Sequence, residues 1–252
     1  MQLLQGAELA GAAILGGAIN SVAGGGSFIT FPTLIFAGIP PISANATNNT
    51  AMWVGVIGSA RGYKEEIAHH RGILLPAMLV SVVGALLGAI LLLRTPATIF
   101  EHLIPYLLLF ATVVFALSPY FSKPHTGEAA RAHSPGQMAL QFCVAVYGGY
   151  FGAGIGILML AILGFSGLPN MNAMNGVKNA LSIAINGIAI VPFFIAGVID
   201  WPVALLMAVF ATLGGYLGSR FFRRIPSHIT RAIVIAIGIT MTAYFFIKTL
   251  SP

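Results

Sequence analysis

Charged side chains are scarce in this chain. Only 7% of its 252 residues are Asp, Glu, Lys or Arg, whereas 58% are hydrophobic and the mean hydropathy is +0.93. A soluble domain carries about 25% charged residues, because its surface must face water. The shortage excludes a water-soluble globular fold and predicts an all-α polytopic membrane protein whose surface is solvated by lipid.

Cysteine is nearly absent from the chain, and acidic residues are absent from the middle of its hydrophobic segments. The single cysteine, Cys143, excludes an internal disulfide and a cysteine-based metal site. No Asp or Glu lies in the middle of a hydrophobic segment, so the sequence lacks an obvious proton relay. The six histidines stand in or near loops, too shallow to serve as a general base inside the membrane. We therefore expect no enzyme, no metal and no other cofactor.

The net charge of +6 and the pI near 9.8 would suit a nucleic-acid-binding protein. The basic residues, however, lie mostly in or beside short loops, where Lys and Arg set the orientation of a membrane protein. The lipid bilayer is thus an expected partner, and nucleic acid is not.

The sequence repeats itself. A shift of 130 residues, from Arg94 to Arg224, superimposes two Arg-X-Pro motifs. The same shift relates two glycines and two asparagines of each half. These pairs are Gly84 and Gly214, Gly88 and Gly218, Asn45 and Asn175, and Asn49 and Asn179. A duplicated bundle of membrane helices is the usual construction of a transporter.

Six hydrophobic segments have close to the roughly 20 residues that cross a bilayer. They are Ala44 to Gly62, Ile73 to Leu93, Ile99 to Ser118, Ala173 to Val198, Val203 to Phe222 and Ile229 to Ile247. Two longer segments, Ala7 to Gly38 and Gln137 to Gly167, are interrupted by glycine. The first would measure about 48 Å as one straight helix, against a hydrocarbon core of about 30 Å. Each is therefore predicted to be a broken helix or a re-entrant hairpin.

The positions of Lys and Arg distinguish two topologies. If each broken segment crosses the membrane once, the halves are parallel and the loop charges divide six to five. If each broken segment forms a hairpin, the halves are inverted and nine charges face two, Arg94 and Lys248. The nine are Arg61, Lys64, Arg71, Lys123, Arg131, Arg220, Arg223, Arg224 and Arg231. The second division obeys the positive-inside rule.

We therefore predict two inverted repeats, each a broken helix or re-entrant hairpin plus three transmembrane helices. The first repeat covers 1–118, a cytoplasmic linker 119–136 and the second repeat 137–252, with both termini outside. The alternative is that the glycines only let straight helices pack closely. The N-terminal segment has Glu8 and no basic residue before Arg61, unlike a cleaved signal peptide, so we expect it to be retained.

Lys178 is the only charged residue well inside a hydrophobic segment. An uncompensated charge there costs about 2.5 to 3.5 kcal/mol on insertion scales. Polar residues recur around it at intervals of three and four, on one face of a helix. They are Asn172, Asn175, Asn179, Ser182 and Asn186. An ammonium among amide groups suits a small anion; the alternative is that the lysine stem extends to the lipid headgroups.

The first half has a shorter stripe of asparagines, in which Asn48 takes the place of Lys178. Both stripes start their helices, where free N–H groups and the helix dipole favour negative charge. Alternatively, the asparagines hydrogen-bond between helices and hold the bundle together. Unwound backbone at the glycine turns could also bind a substrate, or serve only the turn. The candidate substrate-binding residues are Lys178, Asn45, Asn48, Asn49, Asn175, Asn179, Gly25, Gly26, Ser27 and Gly154.

Two motifs resemble the sulfite exporter TauE/SafE family of membrane permeases. One is Gly17 to Ser27 followed by Phe31-Pro32, and the other is Asn45 to Asn48. The second half, with its glycine-rich Gly148 to Gly156, resembles the other half of that family, so the likeness covers nearly the whole chain. At the level of residues it extends only to the first glycine turn and the first asparagine run.

The resemblance implies a transporter in the cell inner membrane for sulfur-containing anions such as sulfite, sulfonates or sulfoacetate. The expected mechanism is alternating access of a central anion site, as in secondary carriers built from repeats. An anion channel or facilitator is the alternative, since the same polar stripes could line a pore. The expected partners are a small anionic substrate and the lipid bilayer, with a homodimer as one option.

Overall fold

The computed structural model describes residues 3–121, 134–164, 166, 168, 170–221 and 227–250. Within these ranges the chain forms eleven α-helices and a 3-10 turn at Arg61–Tyr63, with no strand. The helices are α1 (Leu3–Ala23), α2 (Ser27–Phe36), α3 (Pro41–Ala60), α4 (Lys64–His69), α5 (Arg71–Arg94), α6 (Ala97–Phe121), α7 (Pro135–Tyr150), α8 (Ile155–Leu163), α9 (Met171–Ile195), α10 (Trp201–Phe221) and α11 (Ser227–Leu250).

Each long, glycine-interrupted segment is broken into two helices. The breaks lie at Gly24 between α1 and α2, and at Gly152 and Gly154 between α7 and α8. These glycines have φ angles of 77°, 75° and 76°. That left-handed conformation strains any residue with a Cβ but not glycine, so the breaks occur where the sequence carries its glycine runs.

The first broken segment is a helical hairpin. The Gln5 side chain, near the start of α1, donates a hydrogen bond of 3.1 Å to the carbonyl oxygen of Ala37, just after α2. This bond brings the two ends of the segment together, so α2 runs back along α1. In the second segment α8 likewise packs against α7, and Tyr147 Oη donates to the Ala153 carbonyl oxygen at 2.8 Å across the turn.

The helices follow the sequence repeat. In the first half α3, α5 and α6 begin at residues 41, 71 and 97, and in the second α9, α10 and α11 begin 130 residues later, at 171, 201 and 227. The two halves interlock, because α1 packs on α10 and α7 packs on α5. The remaining equivalent pairs, α3 with α9 and α6 with α11, pack on each other.

Glycine permits the close approach of helices in both interlocking pairs. A Cβ on Gly17 of α1 would overlap the carbonyl oxygen of Ala211 in α10. A Cβ on Gly88 of α5 would overlap the carbonyl oxygen of Val146 in α7 in the same way. Small residues bring membrane helices close enough for backbone contact, so these glycines hold the two halves together.

Replacing Gly17 with valine is expected to lower the thermal unfolding temperature of the detergent-solubilised protein by roughly 5 °C or more, because overpacking costs about 1–3 kcal/mol. Gly11 on the same helix has no atom within 4 Å of a built Cβ, and Gly11→Val is therefore the matched control. Equal unfolding temperatures for the two variants would show that the α1–α10 contact is not tight.

The helices α3 and α9 are antiparallel. Near the start of α3, Thr47 Oγ1 accepts a hydrogen bond of 3.0 Å from the backbone N–H of Asp200, just beyond α9. Near the start of α9, Gly176 lies against α4, which follows α3. Midway, Trp53 Nε1 donates to the carbonyl oxygen of Ile183 at 3.0 Å, and these two residues are themselves 130 positions apart. The equivalent helices thus cross at equivalent residues.

Five of the described helices are long and apolar enough to cross a membrane. These spans are Arg71–Arg94, Ala97–Leu117, Met171–Ile195, Trp201–Gly218 and Ala232–Thr249. The sixth predicted span corresponds to α3, which has 20 residues but a less apolar sequence, because it carries three asparagines and two threonines. The chain is therefore a multi-pass helical membrane protein.

Part of the predicted organisation lies outside the described residues. The linker at 119–136 falls mostly on residues 122–133, while α6 and α7 extend into its two ends. The Arg-X-Pro motif beginning at Arg224 also lies outside the described ranges.

Candidate functional site

A small cavity lies where α3 and α9 cross the turns of the two hairpins. About 30 Å³ of it is open to the centre of a water molecule, which is room for about two waters. Four wall residues come from α3 and four from α9: Asn48, Asn49, Met52, Val56, Lys178, Asn179, Ser182 and Asn186. The hairpins contribute Asn20, Gly24, Ser27, Phe151, Gly152, Ile155 and Gly156.

The wall residues of α3 and α9 are equivalent in the repeat. Each of the four on α9 stands 130 positions after one on α3, so the two halves supply equivalent positions to the cavity. Met52 and Ser182 adjoin Trp53 and Ile183, where the two helices cross midway. The cavity is therefore at half-depth in the bundle. Its α9 wall is polar throughout, whereas its α3 wall becomes apolar beyond Asn49.

Lys178 is buried in this wall, with 3% of its surface exposed. Its ammonium donates one hydrogen bond of 3.0 Å among the described residues, to Asn175 Oδ1. The cavity wall contains no carboxylate, so an amide dipole is the partner that this charge has there. An ion buried without a counter-ion is costly, and its field reaches further in a medium of low dielectric. The cavity therefore favours a negative solute.

Two helix N-termini face the same cavity. α2 begins at Ser27 and α8 at Ile155, and both residues line the cavity together with Gly156. The first N–H groups of a helix carry partial positive charge. Those of Phe28, Ile29 and Ile155 donate to carbonyl oxygens of the glycine turns, so the two helices add to the field of the Lys178 ammonium through their dipoles.

Two asparagines of α3 line the cavity, and they differ in whether the side-chain oxygen has a hydrogen-bond partner. Asn48 Oδ1 accepts a hydrogen bond of 2.5 Å from Thr30 Oγ1 of α2, which ties α3 to the first hairpin. Asn49 is 5% exposed, and its Oδ1 has no hydrogen-bond partner among the described residues. Buried polar atoms are nearly always paired, so Asn49 is the side chain that a solute or water in the cavity would satisfy.

The structure brings five of the ten predicted binding residues to the cavity wall. They are Lys178, Asn48, Asn49, Asn179 and Ser27. Asn175 stands behind the wall and holds the Lys178 ammonium. Asn45 lies outside it, because its Nδ2 donates to the carbonyl oxygen of Tyr150 at 3.1 Å and so caps the end of α7.

The other three predicted residues, Gly25, Gly26 and Gly154, serve packing and do not line the cavity. A Cβ on Gly26 would overlap the carbonyl oxygen of Gly16 in α1, and a Cβ on Gly154 would lie 3.3 Å from the Phe28 ring. A different glycine brings the two turns together: a Cβ on Gly24 would lie 3.2 Å from the backbone of Gly156.

Several wall residues carry no chemical signal in the sequence. Met52, Val56 and Phe151 are apolar, like most of the chain. The repeat offered one route to the first two, because the shift of 130 residues carries the polar stripe at Ser182 and Asn186 onto Met52 and Val56.

An aromatic cluster adjoins one end of the cavity. Phe151 of the wall makes edge-to-face contacts with Phe31 of α2, at 5.2 Å between ring centroids, and with Phe100 of α6, at 6.2 Å. Phe31 and Phe100 are fully buried. The neighbouring Tyr150 Oη donates at 3.3 Å to Thr95, in the loop between α5 and α6. The cluster thus reaches from the cavity wall to the bundle end that carries this loop.

The wall of the cavity contains amides, hydroxyls and one ammonium, and neither histidine nor carboxylate. In the part of the chain that the structure describes, no three His, Cys, Asp or Glu side chains group to hold a metal ion.

Comparison with known proteins identifies a family and several relatives that are named as membrane transporters. Residues 9–245 match the family model for the sulfite exporter TauE/SafE. The chain is 30% identical to a probable membrane transporter protein, ORF9, of Sinorhizobium sp., over 91% of the chain and 88% of the relative.

Two further relatives are each 27% identical to the chain. One is a probable membrane transporter protein of Haemophilus influenzae, with 89% of the chain and 88% of the relative covered. The other is the probable membrane transporter protein YfcA of Escherichia coli K12, with 92% and 86% covered. No solved structure matches the chain. Because the family match extends over residues 9–245, the chain belongs to the sulfite exporter TauE/SafE family.

Proposed function

We propose that this protein is a secondary transporter of small anions, which bind in the central cavity beside Lys178. One observation carries the proposal: a buried ammonium faces a half-depth cavity whose wall has no carboxylate. A neutral solute would leave this charge uncompensated, whereas an anion offsets it. The printed names of the relatives, probable membrane transporter proteins, support transport.

The family description supports sulfur oxyanions or sulfonates, such as sulfite or a sulfoacetate-like solute, as the cargo. The size of the cavity supports a compact solute, since it has room for about two waters as it stands. A sulfonate with a carbon chain would require the cavity to widen around Met52 and Val56, on its apolar wall.

The two halves form an inverted repeat in a cell inner membrane, with both termini outside and the linker inside. Two observations support this arrangement. The equivalent helices α3 and α9 are antiparallel, as inversion requires. Arg61, Lys64 and Arg71 lie at the end of the bundle that holds α4, whereas Arg94 and Lys248 lie at the other, and positive charge is concentrated on the cytoplasmic side of membrane proteins.

Alternating access follows from this arrangement. The hairpins meet at Gly24 and Gly156 beside the cavity, so a relative movement of the two halves would open it towards one end and close it towards the other. In this proposal the cluster of Phe31, Phe100 and Phe151 is the barrier between the cavity and the end that faces outside, and it must open during the cycle. A channel is the second candidate, favoured by the polar stripe that continues along α9 to Asn186.

A counterflow experiment in proteoliposomes tests the proposal. Vesicles loaded with unlabelled sulfite should transiently accumulate labelled sulfite from outside, because a carrier exchanges its solute across the membrane. Sulfoacetate should compete with labelled sulfite, and neutral dimethyl sulfone should not. Equal competition by the sulfone would show that the site does not select anions. Sulfite-dependent unitary currents without counterflow would show that the protein is a channel and not a carrier.

A further inference from the structure

A second, larger cleft lies at the end of the bundle where α11 finishes. About 360 Å³ of it is open to the centre of a water molecule, against about 30 Å³ in the central cavity. Its walls are the first turns of α6, the last turns of α11 and the loop between α2 and α3. The two sites share no wall residue, so the cleft is separate from the central cavity.

The cleft carries opposite charges on opposite walls. Glu101 stands on α6 and Lys248 on α11, both exposed. Neither has an ion-pair partner among the described residues, so both remain available to a ligand. A cleft with one carboxylate and one ammonium held apart matches a ligand with both charges, an anion for Lys248 and a cation for Glu101.

The imidazole beside Glu101 favours a particular cation. His102 Nδ1 lies 2.6 Å from the carbonyl oxygen of Thr98. Because a carbonyl oxygen only accepts, Nδ1 carries the proton in the neutral ring, and Nε2 is left as an acceptor. A carboxylate and a ring acceptor together suit a primary ammonium, which donates hydrogen bonds, better than a quaternary ammonium, which has none to donate.

The surroundings of the cleft are those of a membrane boundary. Its floor contains the buried side chains of Ile104 and Phe245. Beside it Phe36 and Tyr244 are exposed and meet edge to face at 5.0 Å, as aromatic residues do at the level of lipid headgroups. Ile247, one position before Lys248, is 66% exposed and extends this apolar face.

We propose that this cleft binds the headgroup of a phospholipid that has a primary ammonium and a phosphate, as phosphatidylethanolamine has. Lys248 binds the phosphate, and Glu101 with His102 binds the ammonium. The acyl chains lie along the exposed apolar face of α11 and α2. This site is independent of the transported anion, and it gives the protein a lipid that is selected by its headgroup.

The test is native mass spectrometry of the full-length, delipidated protein titrated with three lipids of equal acyl chains. Phosphatidylethanolamine should bind about tenfold more tightly than phosphatidylcholine, which lacks the donors, or phosphatidylglycerol, which lacks the ammonium. Glu101→Gln should remove this preference, whereas Lys248→Gln should weaken the binding of all three lipids, because each carries the phosphate that Lys248 binds. Arg94→Gln is the matched control, because Arg94 is an exposed charge at the same end of the bundle but outside the cleft.

Equal binding of the three lipids, or an equal loss in the Arg94→Gln variant, would overturn the proposal. Soluble phosphoethanolamine is a further arm. If it binds as tightly as the lipid and no lipid is preferred, the cleft recognises a free zwitterion and the lipid assignment is wrong. Thermal unfolding of each variant without lipid shows whether the substitutions leave the fold intact.

Discussion

Replacing Lys178 with methionine is expected to weaken anion binding and transport strongly while the protein remains folded. Methionine has nearly the length of lysine without its charge. Hydrogen bonds to a charged group contribute about 1.5–3 kcal/mol, so the affinity for sulfite should fall roughly 10- to 150-fold. The unfolding temperature should hold or rise, because removing a buried charge that has no counter-ion relieves its desolvation.

The matched control is Lys64→Met, which removes an exposed lysine outside the cavity. Its counterflow and sulfite affinity should equal those of the wild type. A double variant, Lys178→Asn with Asn48→Lys, exchanges the charge between two equivalent positions of one cavity wall. It should recover part of the lost affinity. Wild-type affinity in Lys178→Met would show that the ammonium is not part of the anion site.

Replacing Gly24 with alanine should reduce the rate of counterflow at least tenfold. A Cβ at this position would lie 3.2 Å from the backbone of Gly156 in the other hairpin. Backbone atoms cannot move aside as a flexible side chain can. The added Cβ must therefore push the two turns apart or obstruct their relative movement. If transport requires the hairpins to move past each other, this contact controls the rate.

Gly38 provides the control for backbone strain. Its φ of 84° is close to the 77° of Gly24, but a Cβ there has nothing within 4 Å. At either position, alanine in the left-handed conformation should therefore lower the free energy of unfolding by about 1–2 kcal/mol. The two variants should have similar unfolding temperatures. Counterflow should be lost only in Gly24→Ala. If both variants transport at the same rate, the turn contact has no part in the cycle.

The repeat and the breaks could be predicted from the sequence because both depend on local or internal patterns. The 130-residue shift that relates Asn45 to Asn175 also relates the starts of α3 and α9. The first glycine run is the place where α1 ends, since glycine enters the left-handed region without strain.

The role of each asparagine could not be predicted in this way. Asn45 and Asn48 look alike in the sequence, yet Asn45 caps α7 through Tyr150, which is 105 positions away, whereas Asn48 lines the cavity. An amide serves equally as a cap or as a ligand, and only the crossing of distant helices decides between them. The same holds for Lys178, whose stem could have reached the headgroups until the packing of α9 against α3 enclosed it.

The Trp53–Ile183 bond requires the two halves to differ where α3 and α9 cross. The bond joins equivalent positions of the two helices, so two indoles at these positions would compete for one space. The Trp53 ring rests on Gly187, whereas the counterpart of Gly187 in the first half is Ile57, which leaves no such room for a second indole. The contact at the centre of the bundle is therefore asymmetric, with the indole supplied by the first half and the space for it by the second.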